Sequence, residues 1–242
     1  MKSALITGAN KGIGLEVAKQ LAQNGYFVYI GSRTLENGLA AVKKLNGEGI
    51  SNVEALQLDV TSPESVQAAR TVLGGKIKSL DVLVNNAGIS GGIPQTALAA
   101  TIDQFQAVYD TNLFGVVRVT QAFIDLLQKS SAPRIVNEST AMASLTLAAD
   151  LTNSTRYAVY QSSKSALNMY TINLAYELRD TPFKVNAVCP GWTKTDFTNQ
   201  QGTSTVEEAG QRIAKYVLIG PDGPTGKFFS EEYFPEPATC PW

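Results

Sequence analysis

Tyr160 and Lys164, in YQSSK (160–164), are the pair in this sequence whose types and spacing could do proton chemistry. Residues i and i+4 stack on one face of a helix, so the ammonium of Lys164 can approach the phenol of Tyr160. A free tyrosine has a pKa near 10, too high to exchange a proton readily at neutral pH. A cation about 4 Å away stabilises phenolate by about 4 kcal/mol at an effective dielectric of 20, which draws the pKa towards working pH. The sequence holds nine tyrosines, so this spacing arises readily by chance and needs context.

Composition limits the alternatives. The chain has no histidine, which excludes Ser-His-Asp and Cys-His mechanisms and any His-ligated metal. Two cysteines, Cys189 and Cys240, cannot build a disulfide framework or a zinc site, so a reducing, cytoplasmic setting and no metal are expected. A formal net charge of −1 gives no reason to expect a nucleic-acid or anionic-membrane partner. The N-terminal apolar run ends at Thr7, too short for a signal peptide, and no run approaches a membrane span.

Strand-like and helix-like segments alternate along the chain. The strands are SALIT (3–7), YFVYIG (26–31), VEALQLDV (53–60), LDVLVNNAG (80–88), RIVN (134–137), FKVNAVCPG (183–191) and GKFFSEE (226–232). Helical spacing covers 13–23, 35–46, roughly 101–128 and 157–179, and Ser62-Pro63-Glu64 is a helix start. Apolar strands alternating with helices predict an α/β fold: one Rossmann-type, doubly wound domain over 1–242. Its parallel sheet of about seven strands carries helices on both faces, with the ligand crevice at the strands' carboxyl ends.

The turn TGANKGIG (7–14) follows the first strand and opens the first helix. Gly8 allows the tight turn, Gly12 lets a phosphate approach the backbone, and Gly14 permits close helix–sheet packing. The second strand ends GSRT, with Arg33 where an acid would select NAD; Lys11 adds a second positive charge. Both bases point to NADP(H) over NAD(H).

Several motifs now stand in order: TGANKGIG, Asp59-Val60, NNAG (85–88), Asn112, a Ser/Thr pair after RIVN, YQSSK and CPGWTKTD (189–196). Together they resemble the short-chain dehydrogenase/reductase family over nearly the whole length, and GPTGKFF (223–229) resembles its carbonyl-reductase branch. The resemblance implies NADPH-dependent reduction of a ketone or aldehyde, or the reverse oxidation of an alcohol. Tyr160 would be the general acid/base, Lys164 would also bind the nicotinamide ribose, and Asn112 would hold a relay water. It implies cofactor contacts from Gly8, Asn10, Lys11, Gly12, Ile13, Gly14, Arg33, Asp59, Val60, Asn86, Ala87, Gly88, Pro190, Gly191, Thr193 and Thr195.

The chain departs from the family pattern at RIVNEST (134–140). Glu138 stands where an apolar strand residue is expected. The substrate-binding hydroxyl is Thr140 by register or Ser139 by residue type, and adjacent strand residues face opposite ways. Residues 141–159 are expected to form an inserted loop, and 192–215 a substrate lid. The insertion leaves monomer and homo-oligomer both open. The competing function is a non-catalytic NADP sensor on the same fold; a dehydratase or epimerase is disfavoured by the short chain beyond residue 200.

Overall fold

Strand β1 (Ser3–Ile6) is buried at all four positions, because helices cover it on both sides. Successive side chains alternate between those sides. Ala4 and Ile6 join a cluster with Leu15, Val17 and Leu21 of helix α1 (Gly12–Gln23), while Leu5 joins a second cluster on the opposite face. The same alternation runs through β2 (Phe27–Ser32), β4 (Val82–Asn85) and β5 (Arg134–Glu138). In β5, Val136 lies in the α1 cluster and Ile135 in the other.

The structure, a computed structural model, describes residues 1–152 and 156–242. Its sheet has seven parallel strands in the order β3-β2-β1-β4-β5-β6-β7, completed by β3 (Val53–Gln57), β6 (Lys184–Val188) and β7 (Phe228–Phe229). The order runs outwards from β1 to β3, then restarts on the other side with β4. The carboxyl ends of β1 and β4 therefore border the switch-point crevice where such sheets bind ligands.

Helix α2 (Leu35–Gly47) follows β2, and α3 (Pro63–Lys76) begins where the sequence places its cap: Ser62 Oγ accepts the Ser65 N–H at 3.1 Å. The long helical region expected over 101–128 is three pieces. Helix α4 (Ile102–Tyr109) opens with a Thr101–Gln104 capping box, a π turn spans Asp110–Phe114, and α5 (Gly115–Leu127) continues. Apolar periodicity cannot report this one-residue widening, because the buried stripe resumes in phase with α5. Phe123, on that stripe, is fully buried between α5 and the sheet.

Two further expectations need revision. The inserted loop 141–159 holds a 3-10 turn (Ala141–Ala143), the short helix α6 (Leu145–Ala148) and the first residues of α7 (Ala158–Glu177). Its residues 153–155 lie outside the described ones. Of the expected lid 192–215, residues from Val206 onwards belong to α8 (Val206–Val217), which packs on α1. A Thr205–Glu208 capping box starts that helix, and Ala209, Ile213 and Ala214 bury its inner face. The segment left over the crevice is 192–205.

Among the described residues no helix is long and apolar enough to cross a membrane. Phe123→Ala should lower stability by about 3–5 kcal/mol through lost burial and the cavity left behind. Urea unfolding should show this as a lower midpoint at an unchanged slope.

Candidate active site

The glycine-rich turn is held to β4 by side chain to backbone hydrogen bonds. Thr7 Oγ1 accepts the N–H groups of Asn86 and Ala87, both at 3.0 Å. Asn86 Nδ2 donates to the carbonyls of Thr7 (2.8 Å) and Gly8 (3.1 Å). The approach is so close that a Cβ on Gly8, whose φ is +64°, would stand 2.9 Å from Ala87 Cα. One on Gly14 would stand 2.5 Å from Asn86 Nδ2. Gly12 differs: a Cβ there would find only Thr195 Cγ2, at 3.8 Å, so its face of the turn is open.

The N-terminus of α1 is also uncapped. Lys11, its N-cap, makes no side-chain capping bond, and the first turn carries no acid. First-turn N–H groups lack intrahelical acceptors, and the helix dipole favours an anion there. An open cradle with spare donors suits a pyrophosphate. Around it, Asn10 and Ile13 are half-buried, and Arg33 is exposed just past β2. Lys11 pairs with Asp196 at 2.8 Å, which holds the Asp196 carboxyl below its usual range. Asp59 Oδ1 accepts from the N–H (3.0 Å) and hydroxyl (2.7 Å) of Thr61, while the Val60 carbonyl accepts from Arg118 at 3.2 Å.

At the other end of the crevice, α7 presents Tyr160 and Lys164. Lys164 is 4% exposed, and its Nζ donates to the main-chain carbonyl of Glu138 at 2.7 Å. Gly88 stands close by: a Cβ there would be 3.6 Å from Lys164 Nζ and 3.3 Å from Asn112 Oδ1. Asn112, fully buried in the π turn, accepts the Ile89 N–H at 2.9 Å. It donates to the Ile89 carbonyl (3.0 Å) and to Ser163 Oγ (3.1 Å). π turns recur at functional sites because they re-aim one side chain within a helix, as this one does.

The surroundings of the Tyr160 phenol act against the lowering expected from Lys164. Burial pushes the phenol above its ordinary value, and the negative potential of Glu138 adds to that. Lys164 is committed to the Glu138 carbonyl, and burial lowers its own pKa against the opposing pull of Glu138. Spacing along a helix says nothing of desolvation, which dominates here.

Ser139 is turned into the packing of β5 on α7, 2% exposed, its Oγ donating to Asn168 Oδ1 at 2.7 Å. Thr140 points the other way and is half-exposed; its Oγ1 accepts the Met142 N–H at 3.3 Å. Beyond β6, the Pro190 carbonyl accepts from Arg212 at 2.7 Å, and Gly191 takes a φ of +92°. Thr193 is buried and bridges to Ser204; Thr195 caps a 3-10 turn (Asp196–Thr198).

Several residues of the site had no sequence signal. Gln95 accepts the Tyr160 N–H at 3.1 Å, fixing the start of α7. Phe197 lies with its ring centroid 5.6 Å from that of Tyr160. Glu232, assigned to a strand, instead accepts from Trp192 N–H (2.7 Å) and Ser204 Oγ (2.9 Å). Burial alone would raise its carboxyl, but those bonds and Arg212 hold it below its usual range. Among the described residues no group of three or more His, Cys, Asp or Glu could hold a metal. Asn112→Ala should remove two hydrogen bonds to the Ile89 main chain and one to Ser163, at about 0.5–1.5 kcal/mol each. Calorimetry should record a lowered Tm, and hydrogen exchange should speed up at Ile89 first.

The comparisons agree with this geometry. The family model described as short chain dehydrogenase matches residues 2–205. The chain is 34% identical to (-)-isopiperitenone reductase of Mentha piperita, over 95% of this chain and 96% of that protein. It is 30% identical to salutaridine reductase of Papaver bracteatum, over 95% and 94%. Among solved structures, salutaridine reductase from Papaver somniferum superposes at a TM-score of 0.85 with 29% identity, covering 95% of this chain and all of that one. An NADPH-bound carbonyl reductase from chicken fatty liver superposes at 0.86 with 27% identity, covering 100% and 99%. A Rossmann-type sheet, a phosphate-ready turn, and a tyrosine and lysine at its mouth thus coincide with a family match across most of the chain, which belongs to the short-chain dehydrogenases and is an oxidoreductase.

Proposed function

We propose that this protein is an NADPH-dependent carbonyl reductase acting on a ketone or aldehyde, and in reverse on the alcohol. The observation that carries the reading is the placing of Lys164, one turn along α7 from Tyr160, beside Gly88 and Asn112 at one end of a crevice whose other end is the open turn at Gly12. The N–H groups of the turn hold the pyrophosphate, Arg33 and Lys11 the 2′-phosphate, and Asp59 and Val60 the adenine. Asn86, Ala87 and Gly88 line the adenine ribose, and Pro190, Gly191, Thr193 and Thr195 the nicotinamide side. The cofactor supplies the hydride.

Tyr160 donates the proton to the carbonyl oxygen. Its raised pKa keeps the phenol protonated at neutral pH, the form that reduction needs. Thr140, with its half-exposed hydroxyl, orients that oxygen; Ser139 is spent on Asn168. Lys164 fixes the ribose and lends its positive charge to the site. Both amide hydrogens of Asn112 are committed, so a relay water on that side chain has only the second lone pair of Oδ1. The 192–205 segment acts as the lid, bringing Phe197 against Tyr160. Exposed Trp192 and Phe197 on that segment favour an apolar substrate.

Spectrophotometry of reduced-nicotinamide oxidation, with a panel of apolar ketones and aldehydes, tests the reading. NADPH should be consumed, and Tyr160→Phe should cut kcat by about 100-fold or more while still binding cofactor. Arg33→Ala should weaken NADPH binding about tenfold and leave NADH unchanged. Because the phenol pKa is raised, reduction should hold from about pH 6 to 8, while alcohol oxidation, which needs the deprotonated form, should climb with pH. Binding of NADPH without turnover on any carbonyl would favour the sensor reading, for which the buried Glu138 is the one structural motive.

A further inference from the structure

Glu138 is a carboxyl group at the centre of this site that the proposed reaction leaves without a task. It closes β5, directly before Ser139 and Thr140, and its main-chain carbonyl receives the Lys164 ammonium at 2.7 Å. The side chain leaves on the opposite side from its neighbours. Asn137 donates to Thr171 of α7, and Ser139 to Asn168 of α7. Val136, two residues earlier, lies in the cluster that α1 covers. By strand alternation Glu138 is on the face of Val136, the face crowned by the glycine-rich turn, at the carboxyl end of the sheet. That is the crevice into which the reactive end of a dinucleotide runs. The residue is half-buried, and its carboxyl oxygen Oε2 is buried and has no hydrogen-bond partner.

We propose that the Glu138 carboxylate sets which redox form of the cofactor the site prefers, favouring the cationic oxidised nicotinamide over the neutral reduced one. The inference rests on the NADP(H) reading above. An oxidised nicotinamide ring carries one positive charge and a reduced ring carries none, while the phosphates and adenine are the same in both. A buried, poorly screened carboxylate therefore acts on the difference between the two forms. Lys164 taken alone would repel the oxidised ring; Glu138 offsets that repulsion. The apolar residue expected at this position would leave it in force. A role confined to holding Lys164 in place would alter both affinities alike.

The preference has a pH signature. Burial pushes the Glu138 carboxyl up to about 7, with Lys164 pulling against the shift. Below that pH the group is neutral and the preference is lost; above it the carboxylate forms and the preference appears. The groups facing it are Lys164 and Tyr160 from α7 and Cys189 after β6. Glu232 and Arg212 lie beyond Cys189, and on the α1 side Lys11 is paired with Asp196. Burial keeps Tyr160 and Cys189 protonated through this range, and the Glu138 carboxylate in turn supports the charge on Lys164, so the wild-type arm decides the test.

The experiment is a pair of dissociation constants without substrate. NADPH is followed by its fluorescence on the full chain, and NADP+ by competition, at about pH 6 and pH 8.5, for wild type and Glu138→Gln. In wild type the ratio Kd(NADPH)/Kd(NADP+) should rise about tenfold between the two pH values. In Glu138→Gln it should stay flat near the low-pH value. Titration of the 2′-phosphate is common to both ligands and cancels in the ratio. A wild-type ratio that does not move with pH overturns the proposal, and that arm needs no variant to fold. Equal weakening of both ligands in Glu138→Gln, with the ratio unchanged, also overturns it. If wild type binds neither form, the cofactor reading fails and takes this inference with it.

Discussion

An ammonium group buried to 4% exposure must be met by oxygen, and the meeting of Lys164 with the Glu138 carbonyl organises the rest of this site. An unpaired buried charge costs several kcal/mol, far more than a surface lysine ever loses. The bond therefore ties α7 to the carboxyl end of β5 at a fixed height. Tyr160, one turn earlier on α7, is placed by the same constraint. Gln95 holds its main-chain N–H and Ser163 its carbonyl, so the start of α7 cannot fray away from the crevice. Asn112 then links Ser163 to Ile89, joining α7 to the chain after β4. Three crossing elements are locked by groups that would each be costly to leave unpaired.

What could be read from the sequence is what is decided locally. The strands follow from short apolar runs, and the start of α3 from Ser62-Pro63. The turn of 7–14 follows from glycines whose close approaches to Asn86 and Ala87 leave no room for a Cβ. The π turn at Asp110–Phe114 is different. It depends on Asn112 finding Ile89 and Ser163, partners 23 and 51 residues away. Helix α8 carried a local signal, the Thr205–Glu208 capping box, which the polar composition around it concealed. Ser139 and Thr140 were not separable by pattern, because the deciding partner, Asn168, lies on another element.

The phenol of Tyr160 shows what spacing along a helix leaves out. A lysine four residues on can lower a tyrosine pKa only if its charge faces the ring through a polarisable gap. Here the ammonium is drawn to a carbonyl, a carboxylate shares the pocket, and desolvation outweighs both. The result serves a proton donor: a phenol that holds its proton at neutral pH can give it to an oxygen on which charge is developing. It serves a base less well until the pH rises or another positive charge arrives.

The 192–205 segment connects the two ends of the crevice. Asp196 pairs with Lys11 beside the phosphate turn, and its neighbour Phe197 packs on Tyr160 at the reactive end. Both members of the Lys11–Asp196 pair are more than 60% exposed, and such pairs contribute about 0–1 kcal/mol. A phosphate with more negative charge and more acceptor oxygens is a better partner for Lys11 than one solvated carboxylate. The other end of the segment is anchored more firmly. Glu232 collects Trp192, Thr203 and Ser204, and Arg212 spans Ser204 and Pro190. The segment is thus held by several hydrogen bonds at its base and by one exposed ion pair at its tip. Gly191 and Gly202, both at positive φ, stand at either side of that base. On the lid reading proposed above, what frees the clasp at the phosphate end would also release the aromatic cover from Tyr160, so that one short stretch of chain would couple the two ends of the crevice.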